Sequence, residues 1–378
     1  MLDGKNILNG GIVMDKLNFA IIGCGRISPN HVKALIENKD DANLKAVCDI
    51  VPENAIARKN QYEEQITGSS VNVYTDYKEM LDKEDIDVVT VATESGYHPK
   101  IAIYCMNKGK HVICEKPMAL SIKDADEMIE TAKANKVKLC ISHQNRFNPV
   151  VQKLRAALES GRFGKLVNGT ARILWRRNMD YYRQSPWRGT WKLDGGTLMN
   201  QCIHDIDLLQ WMLGGEVDTV YSMCGTYLRD IEGEDFGAVL VRFKNNAVGI
   251  IEGSACVYPK NLEETLSIFG EKGTVCLGGL AVNRIETWRF GDQKDSEDEI
   301  LRVQESDPDS VYGHGHTPLF KNMIDAIRYD REPLINGAEG KKALSIVLAA
   351  YKSRLDGTQV KFPLKDFSTL EMYNLKER

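Results

Sequence analysis

The chain has 378 residues and a mass of 42.5 kDa, which exceeds the roughly 100 to 200 residues of an ordinary domain and predicts two domains. Its apolar fraction of 43%, charged fraction of 27% and 31 glycines are those of a globular protein and exclude collagenous, disordered and disulfide-stapled classes. The net charge of −4 and the lack of an apolar stretch of about 20 residues predict neither a nucleic-acid partner nor a membrane span.

The nine cysteines form no Cys-x-x-Cys pair and have no regular spacing. Most of them stand among Val, Ile and Leu, which is typical of buried thiols in a reducing compartment. We therefore expect a cytoplasmic protein. Residues 1–16 lack a long apolar stretch and are expected to be an N-terminal extension that precedes the first domain.

Short apolar runs alternate with helical patterns between residue 17 and about residue 145. The helical spacing from His98 to Lys108 ends at Gly109, a residue that readily takes the left-handed conformation at a helix end. The alternation predicts a parallel, doubly wound Rossmann sheet, and hence a dinucleotide-binding domain over residues 17–145. The predicted strands are Phe19–Ile22, Leu44–Cys48, Val88–Ala92, Val112–Cys114 and Val137–Ile141.

The first predicted strand runs into a turn that contains Gly23, Gly25 and Ser28. Such glycines let backbone amides approach a pyrophosphate at a helix N-terminus, although the same pattern also occurs in simple tight turns. Ser28 replaces the third glycine and is predicted to cap the helix that starts at Pro29. Asp49 ends the second strand, where a carboxylate accepts a hydrogen bond from a ribose hydroxyl and repels a 2′-phosphate, so NAD is favoured over NADP.

The fourth predicted strand ends in Glu115, Lys116 and Pro117. Ligands of open parallel sheets bind beyond the carboxyl ends of the strands, so Lys116 is expected beside the nicotinamide. A residue before proline is biased to extended backbone, which leaves the lysine amine free to point into the cleft. The alternative is a solvated loop lysine.

Residues 146–378 show a different pattern, with long alternating strands that predict an open, mainly antiparallel sheet with helices. Two hairpins are expected, one over 236–252 and one over 262–277. Apolar residues at three- and four-residue steps predict one helix from Thr197 to Leu213, ended by Gly214. The acidic segment from Gly291 to Pro308 is expected to be a solvated loop.

A single histidine in a helix is usually structural, but His204 is a candidate for a functional role. It is predicted on a helix stripe with Asn200, Asp207 and Trp211, away from the core face. The pair His314 and His316 is compatible with metal binding, but the surrounding sequence offers no third ligand, and no metal is predicted.

Six cations between residues 172 and 192 face a single acid, Asp180, and alternate with five Trp and Tyr residues. One interpretation is a charged surface strand and loop. The other is a pocket for a charged, ring-bearing ligand, since Arg binds phosphate or carboxylate and aromatic rings stack on rings. Single-stranded nucleic acid would use the same residue types, but the acidic chain has no second basic stretch that would continue such a track. The cations are Arg172, Arg176, Arg177, Arg183, Arg188 and Lys192.

These motifs, together with Ala92–His98, Ser142–Pro149 and Gly195–Asp207, resemble the glucose-fructose oxidoreductase and inositol dehydrogenase (Gfo/Idh/MocA) family over nearly the whole chain. The resemblance implies that Lys116 and His204 flank the carbinol carbon that is oxidised. Many family members carry an aspartate where this chain has Asn200. An asparagine there can only orient the His204 ring, so the resemblance leaves open which of Lys116 and His204 takes the proton.

The resemblance also implies a set of binding residues, with NAD as the cofactor and without a metal. The implied substrate-binding residues are Lys116, Arg176, Arg177, Tyr182, Asn200, Gln201 and His204. The implied cofactor-binding residues are Gly23, Gly25, Arg26, Ile27, Asp49, Thr93, His98, Glu115, Lys116, Gln144, Trp187 and Arg188.

Within the family, the segments Trp187–Trp191 and Val311–His316 are most similar to bacterial enzymes that oxidise UDP-N-acetylglucosaminuronic acid at C3 for O-antigen or capsule sugars. The alternatives are a dehydrogenase of a free polyol or monosaccharide and a non-catalytic dinucleotide sensor, although a sensor needs neither Lys116 nor His204. A homodimer or homotetramer is expected, because the open face of the second sheet needs cover. Whether NADH is released or is reoxidised in place by a 2-oxo acid is left open.

Overall fold

The computed structural model describes residues 15–279, 281–302 and 315–375, together with two short paired strands, Ile7–Leu8 (β1) and Gly11–Ile12 (β2). Most of the predicted N-terminal extension therefore lies outside the described residues, as do residues 303–314 with His314. In the described residues, no helix combines the length and the apolar character that crossing a bilayer requires.

The first domain is built on a six-stranded, fully parallel sheet in the order β5-β4-β3-β6-β7-β8. All five predicted strands are present, which confirms the Rossmann architecture. The sequence analysis missed β5, because a strand of three partly exposed residues leaves no apolar run. The strands are Leu17–Ile22 (β3), Ala42–Cys48 (β4), Asn72–Tyr74 (β5), Val88–Val91 (β6), His111–Cys114 (β7) and Leu139–Ile141 (β8).

Helices connect these strands, and short 3-10 helices at Ser95–Tyr97 and Gln144–Phe147 follow β6 and β8. The prediction that Ser28 caps the first helix is wrong. Ser28 is the first helical residue, and its hydroxyl donates to the Gly25 carbonyl at 2.7 Å, so it stabilises the turn rather than the helix end. The helices are Ser28–Glu37 (α1), Pro52–Glu63 (α2), Tyr77–Lys83 (α3), His98–Asn107 (α4) and Ile122–Ala134 (α5).

The second sheet has eight strands in the order β15-β14-β13-β9-β12-β11-β10-β16. Every neighbouring pair is antiparallel except β9 and β12, which confirms the predicted open, mainly antiparallel sheet and both of its hairpins. The strands are Leu166–Leu174 (β9), Val217–Gly225 (β10), Phe236–Phe243 (β11), Val248–Ser254 (β12), Glu263–Gly270 (β13), Gly273–Gly278 (β14), Arg284–Phe290 (β15) and Val360–Lys361 (β16).

Helices pack on one face of this sheet, and two of them differ from expectation. The predicted helix over 197–213 is broken between Asn200 and Ile203, because the Thr197 carbonyl accepts from the amides of both Gln201 and Cys202. The acidic segment contains a helix within its described part. The helices are Pro149–Glu159 (α6), Met179–Arg183 (α7), Thr197–Asn200 (α8), Ile203–Leu213 (α9), Glu297–Arg302 (α10), His316–Arg328 (α11) and Gly337–Asp356 (α12), with a 3-10 helix at Thr369–Asn374.

Helix α11 comes from the C-terminal part of the chain but packs against α1 of the first domain. The Phe320 ring stacks on Phe19 with centroids 5.9 Å apart, and Lys321 forms an ion pair of 3.0 Å with Asp41. The packing brings the N-terminus of α11 to the carboxyl edge of the parallel sheet, where His316 is buried.

Candidate active site

A cavity of about 1010 Å³ lies at the carboxyl ends of the parallel strands, where the two domains meet. All twelve residues implied as cofactor contacts line it. Of the implied substrate contacts, Lys116, Asn200 and His204 line it, whereas Arg176, Arg177, Tyr182 and Gln201 do not. The catalytic and binding roles of these residues remain predictions.

The turn from Gly23 to Ser28 forms one end of the cavity. Gly23 has a φ of +91°, and a Cβ there would lie 2.5 Å from the carbonyl carbon of Ala92, so only glycine fits between the two strand ends. A Cβ on Gly25 would meet no atom within 4 Å, which leaves open space over the turn. This shape fits a pyrophosphate in contact with backbone amides.

Asp49 stands at the end of β4 on the same wall of the cavity. Its Oδ2 accepts from the Cys24 amide at 2.7 Å, and its Oδ1 accepts from the Val51 amide at 2.9 Å. The two hydrogen bonds hold the carboxylate beside the glycine turn, where an adenosine ribose is bound in Rossmann folds. The observed position agrees with the choice of NAD.

Lys116 extends from the end of β7 across the cavity to the second domain, where its Nζ donates to the Asn200 carbonyl oxygen at 2.7 Å. The break between α8 and α9 presents this carbonyl to the lysine. Burial lowers the pKa of Lys116, while the charges of Glu115 and Asp194 act in the opposite direction. The amine is therefore easier to deprotonate than a solvated lysine.

His204 lies in the first turn of α9 and lines the cavity together with Lys116. Its ring meets His143 edge to face with centroids 5.7 Å apart, and its buried Nδ1 has no hydrogen-bond partner among the described residues. Burial, followed by the charges of Lys116 and His143, holds the pKa of His204 well below its usual range. The imidazole is therefore neutral at neutral pH.

The sequence analysis had allowed Asn200 to orient the His204 ring, but in the structure its side chain bonds elsewhere. Its side-chain amide donates to Asp194 Oδ1, and Asp194 Oδ2 accepts from the Gly189 amide at 2.6 Å. The helix break rotates residue 200 away from the face that carries residue 204, so the four-residue spacing does not bring the two side chains together. Asn200 instead joins α8 to the loop before it.

Arg188 is the cation of the 172–192 segment that lines the cavity. Its guanidinium lies against the rings of Tyr181 and Trp187, with its Cζ 4.4 Å and 4.8 Å from their centroids. One nitrogen, Nη1, donates to the Tyr181 hydroxyl at 2.6 Å, while Nε is buried and has no partner among the described residues. A cation with a free donor at this wall suits an anionic ligand.

The other cations of that segment do not converge on the cavity. Arg172 pairs with Glu252 at 2.9 Å and with Glu263 at 3.0 Å, and Arg183 lies on the surface near Asp180. Arg177 packs on the rings of Trp175 and Tyr181. Much of the cationic segment is thus a charged surface strand and loop, which was the alternative interpretation.

Tyr181 occupies the cavity position that the sequence analysis had assigned to Tyr182. The short helix α7 directs Tyr181 to the cavity, whereas Tyr182 is buried. Gln184 and Ser185 also line the cavity and were missed. Alternation of aromatic and basic residues marks the segment, but the rotation of a five-residue helix cannot be determined from it.

His316 belongs to a buried cluster whose members are far apart in sequence, so the sequence analysis did not find it. Its Nε2 lies 3.8 Å from Glu115 Oε1, and the same oxygen lies 2.9 Å from His31 Nε2. The three ligand atoms lie within 4.8 Å of one another, a grouping that could hold a metal ion. The sequence around His316 offers no third potential ligand, but the fold brings His31 and Glu115 next to it.

Taken with the parallel sheet, the glycine turn and Asp49 fit a bound NAD, and Lys116 and His204, the two residues predicted to be catalytic, line the same cavity. This fold and site define an NAD-dependent dehydrogenase of alcohols.

Comparison with known proteins agrees at the level of the family. Residues 17–143 match the family described as "Oxidoreductase family, NAD-binding Rossmann fold", and residues 151–276 match the "GFO/IDH/MocA C-terminal domain". The chain therefore belongs to the Gfo/Idh/MocA family and is an NAD-dependent sugar dehydrogenase.

Among solved structures, the WlbA dehydrogenase from Bordetella pertussis in complex with NADH and UDP-GlcNAcA has a TM-score of 0.86 and 39% identity, covering 94% of this chain and 100% of that one. The WlbA dehydrogenase from Chromobacterium violaceum, in complex with the same two molecules, has a TM-score of 0.83 and 39% identity, covering 95% and 100%. The myo-inositol 2-dehydrogenase from Thermotoga maritima is 29% identical, covering 91% of this chain and 98% of its own length.

Proposed function

We propose that this chain oxidises the C3 hydroxyl of UDP-N-acetylglucosaminuronic acid (UDP-GlcNAcA) to a 3-keto sugar, with NAD as the hydride acceptor. We infer the reaction type from the position of Lys116 and His204, which line the same cavity as the Gly23–Ser28 turn. The substrate is supported by 39% identity, over nearly the whole chain, to two dehydrogenases crystallised with this nucleotide sugar. A 3-keto sugar suits an aminotransferase as the next enzyme in O-antigen or capsule biosynthesis.

Lys116 is the base in the proposed reaction. Its neutral amine accepts the proton of the C3 hydroxyl as the hydride leaves the same carbon, and burial makes the neutral amine available. NAD supplies the acceptor for that hydride. The Asn200 carbonyl, 2.7 Å from Nζ, directs the amine and then accepts from the ammonium that forms. The reaction yields the ketone, NADH and one proton.

His204 positions the hydroxyl. Its ring lines the cavity, and the lowered pKa leaves it neutral, so that it forms a hydrogen bond with the substrate without adding a positive charge. A neutral imidazole beside Lys116 also avoids placing a second positive charge next to the amine as it takes up a proton.

Arg188 supports an anionic substrate. Arg188 is partly buried on the cavity wall, and among the described residues no carboxylate lies within ion-pair distance of its guanidinium, so its charge is available to an anion of a ligand. The anion could be the sugar carboxylate or a cofactor phosphate. Arg188→Met should therefore weaken the binding of UDP-GlcNAcA if the carboxylate is the partner, and of NAD if the phosphate is.

The test follows NAD reduction by absorbance at 340 nm with a panel of sugars. We expect turnover with UDP-GlcNAcA and a sharp decrease with UDP-N-acetylglucosamine, which lacks the carboxylate. Equal turnover with both would contradict the role of an anionic group, and a lack of turnover with every UDP-sugar would overturn the proposed substrate.

A free polyol is the second candidate, favoured by the 29% identity to a myo-inositol 2-dehydrogenase over 362 aligned residues. The same assay with myo-inositol and glucose distinguishes the two. Robust turnover with either compound, without turnover on UDP-sugars, would assign the chain to this second function.

A further inference from the structure

A carboxylate is buried directly behind the proposed base. Glu115 is 5% exposed, and its Oε1 lies 2.9 Å from Nε2 of His31, which is completely buried. The other ring nitrogen of His31 lies 3.2 Å from the Thr90 hydroxyl. His316 lies beside the same carboxylate oxygen, with Nε2 3.8 Å from Oε1, and this nitrogen is buried and without a hydrogen-bond partner among the described residues.

The cluster is joined to Lys116 through its backbone. The Lys116 amide donates to Glu115 Oε2 at 3.2 Å, so one carboxylate oxygen faces the histidines and the other faces the lysine main chain. Glu115 also lines the cavity. Any movement of this carboxylate therefore changes both the position of Lys116 and the negative charge beside its amine.

The two histidines come from different parts of the chain. His31 is in α1, whereas His316 is the first residue of α11, which packs on α1. Their rings approach with centroids 5.6 Å apart, and Phe320 of α11 meets the His31 ring edge to face at 5.4 Å. The buried side of Glu115 is thus closed only when α11 is docked.

We propose that His316 is a positioning residue for the dehydrogenase reaction: it packs beside Glu115 Oε1 and keeps the carboxylate in place against the backbone of Lys116. The anion then stabilises the ammonium that Lys116 becomes when it takes the substrate proton. The inference rests on the proposed role of Lys116 as the base.

The electrostatics agree with this geometry. Burial by itself would raise the pKa of Glu115, but the hydrogen bond with His31 and the nearby ring of His316 hold it well below its usual range. The negative charge of Glu115 in turn raises the pKa of Lys116 against the effect of burial. Other groups acting on Glu115 or Lys116 are His98, Cys114, Cys140, His143, Arg188, Asp194, Cys202 and His204.

A metal ion is the competing explanation for the cluster. Tetrahedral ligands at zinc bond lengths of about 2.0–2.1 Å lie roughly 3.4 Å apart. The 2.9 Å between His31 and Glu115 is shorter and is the length of a hydrogen bond. The spacing therefore favours a shared proton over a metal ion.

The experiment measures the proton affinity of Lys116 directly, without substrate. The full-length protein is treated with acetic anhydride over a pH series, and mass spectrometry follows acetylation of Lys116. The midpoint is the pH at which Lys116 is acetylated at half its maximal rate. In Glu115→Gln and His316→Asn, we expect this midpoint to fall by about one pH unit, because an adjacent opposite charge shifts a pKa by one to three units. His316→Gln, whose longer amide can still reach the carboxylate, should restore most of the wild-type value.

The pH profile of kcat gives a second readout. Its acid limb should move to lower pH in His316→Asn while turnover falls about tenfold, whereas a merely structural defect would lower turnover equally at every pH. The control is His111→Asn at the opposite end of β7, where the ring accepts from the Lys138 amide at 2.9 Å. Its midpoint and acid limb should stay at the wild-type values.

A Lys116 midpoint that is unchanged in both Glu115→Gln and His316→Asn would overturn the inference. One equivalent of tightly bound zinc in the purified protein would also overturn it. If wild type turns over neither UDP-sugars nor polyols, the proposed function fails, and the labelling midpoints still decide whether Glu115 and His316 control the amine.

Discussion

Burial decides the protonation state of the two side chains at the reaction centre. It lowers the pKa of Lys116 and holds that of His204 well below its usual range. The neutral amine of Lys116 is therefore available closer to neutral pH than that of a solvated lysine, and the imidazole of His204 stays neutral to lower pH than a solvated histidine. A base that accepts a hydroxyl proton needs this property, because a protonated amine cannot act.

Replacing the lysine tests its role. Lys116→Met should lower kcat by at least about 100-fold, the usual contribution of a general base, while NAD binding and Tm stay near wild type. Steady-state assays at 340 nm and calorimetric titration with NAD measure the two quantities. His204→Asn should also slow turnover, to a smaller extent.

The matched control is Lys123→Met, an exposed lysine of α5 away from the cavity, which should keep full activity. Near-normal turnover in Lys116→Met would remove the proposed mechanism and leave the family membership intact.

We predict that Asp49 determines the choice between NAD and NADP. Asp49→Ser should reduce the preference for NAD over NADP by roughly tenfold or more, since a hydrogen bond to a charged group contributes about 1.5–3 kcal/mol. Binding titrations of wild type and variant with both cofactors measure the ratio. Equal affinity of wild type for NAD and NADP would show that the function assigned to Asp49 is wrong.

At the scale of elements, the junction of α8 and α9 connects the proposed catalytic residue His204 to the second sheet. Asp205, next to His204, faces Glu264 of β13, and both carboxyl groups are buried. Burial raises the pKa of Asp205 to about 8, and burial and the charge of Asp205 raise that of Glu264 well above its usual range. The pair therefore retains a proton at neutral pH.

This pair predicts a pH-dependent stability. An acid whose pKa is raised in the folded state stabilises the fold fully below its unfolded value near 4, and this stabilisation is lost as pH rises through the folded value. For Asp205 that window extends to about 8. The Tm of wild type should therefore fall relative to that of Glu264→Gln as the pH is raised from 5 to about 8.

Differential scanning fluorimetry at several pH values measures this difference. Glu263→Gln is the control, because Glu263 is the neighbouring residue of β13 but pairs with Arg172 outside the core. Its Tm should follow wild type across the series. A constant difference between Glu264→Gln and wild type would contradict the shared proton.

At the scale of the whole molecule, no helix of the described residues covers one face of the second sheet. The cross-strand partners Tyr221, Leu240 and Ile250 lie there, and Leu240 is 51% exposed. Met223, two residues after Tyr221 in β10, adds to this apolar surface. A second copy of the chain is the expected cover, since a patch shared by two identical subunits can pair with itself about a twofold axis.

Leu240→Lys should dissociate the expected dimer or tetramer, because the substitution places a charge in the centre of the apolar face. Sedimentation velocity at several concentrations measures the oligomeric state. Leu370→Lys is the control, since Leu370 is 50% exposed but lies on the C-terminal 3-10 helix. A wild-type protein that stays monomeric at all concentrations would contradict the prediction.

The sequence by itself determined the parallel sheet, the glycine turn, Asp49 and Lys116 at the cofactor end of the cavity. Each depends on local order: apolar runs define strands, and parallel strands bring their carboxyl ends to one edge. The turn residues and Lys116 follow strands directly, so the chain places them without reference to distant contacts.

Only the tertiary structure decided the break after Asn200, the choice of Tyr181 over Tyr182, the exclusion of Arg176 and Arg177 from the cavity wall, and the approach of His316 to Glu115. These features depend on contacts between residues far apart in sequence. The Asn200 carbonyl and the Lys116 amine are 84 positions apart in sequence, and the pattern of neither segment predicts that they are in contact. Local patterns determine which elements form, whereas the packing of one element against another determines which side chain faces the ligand.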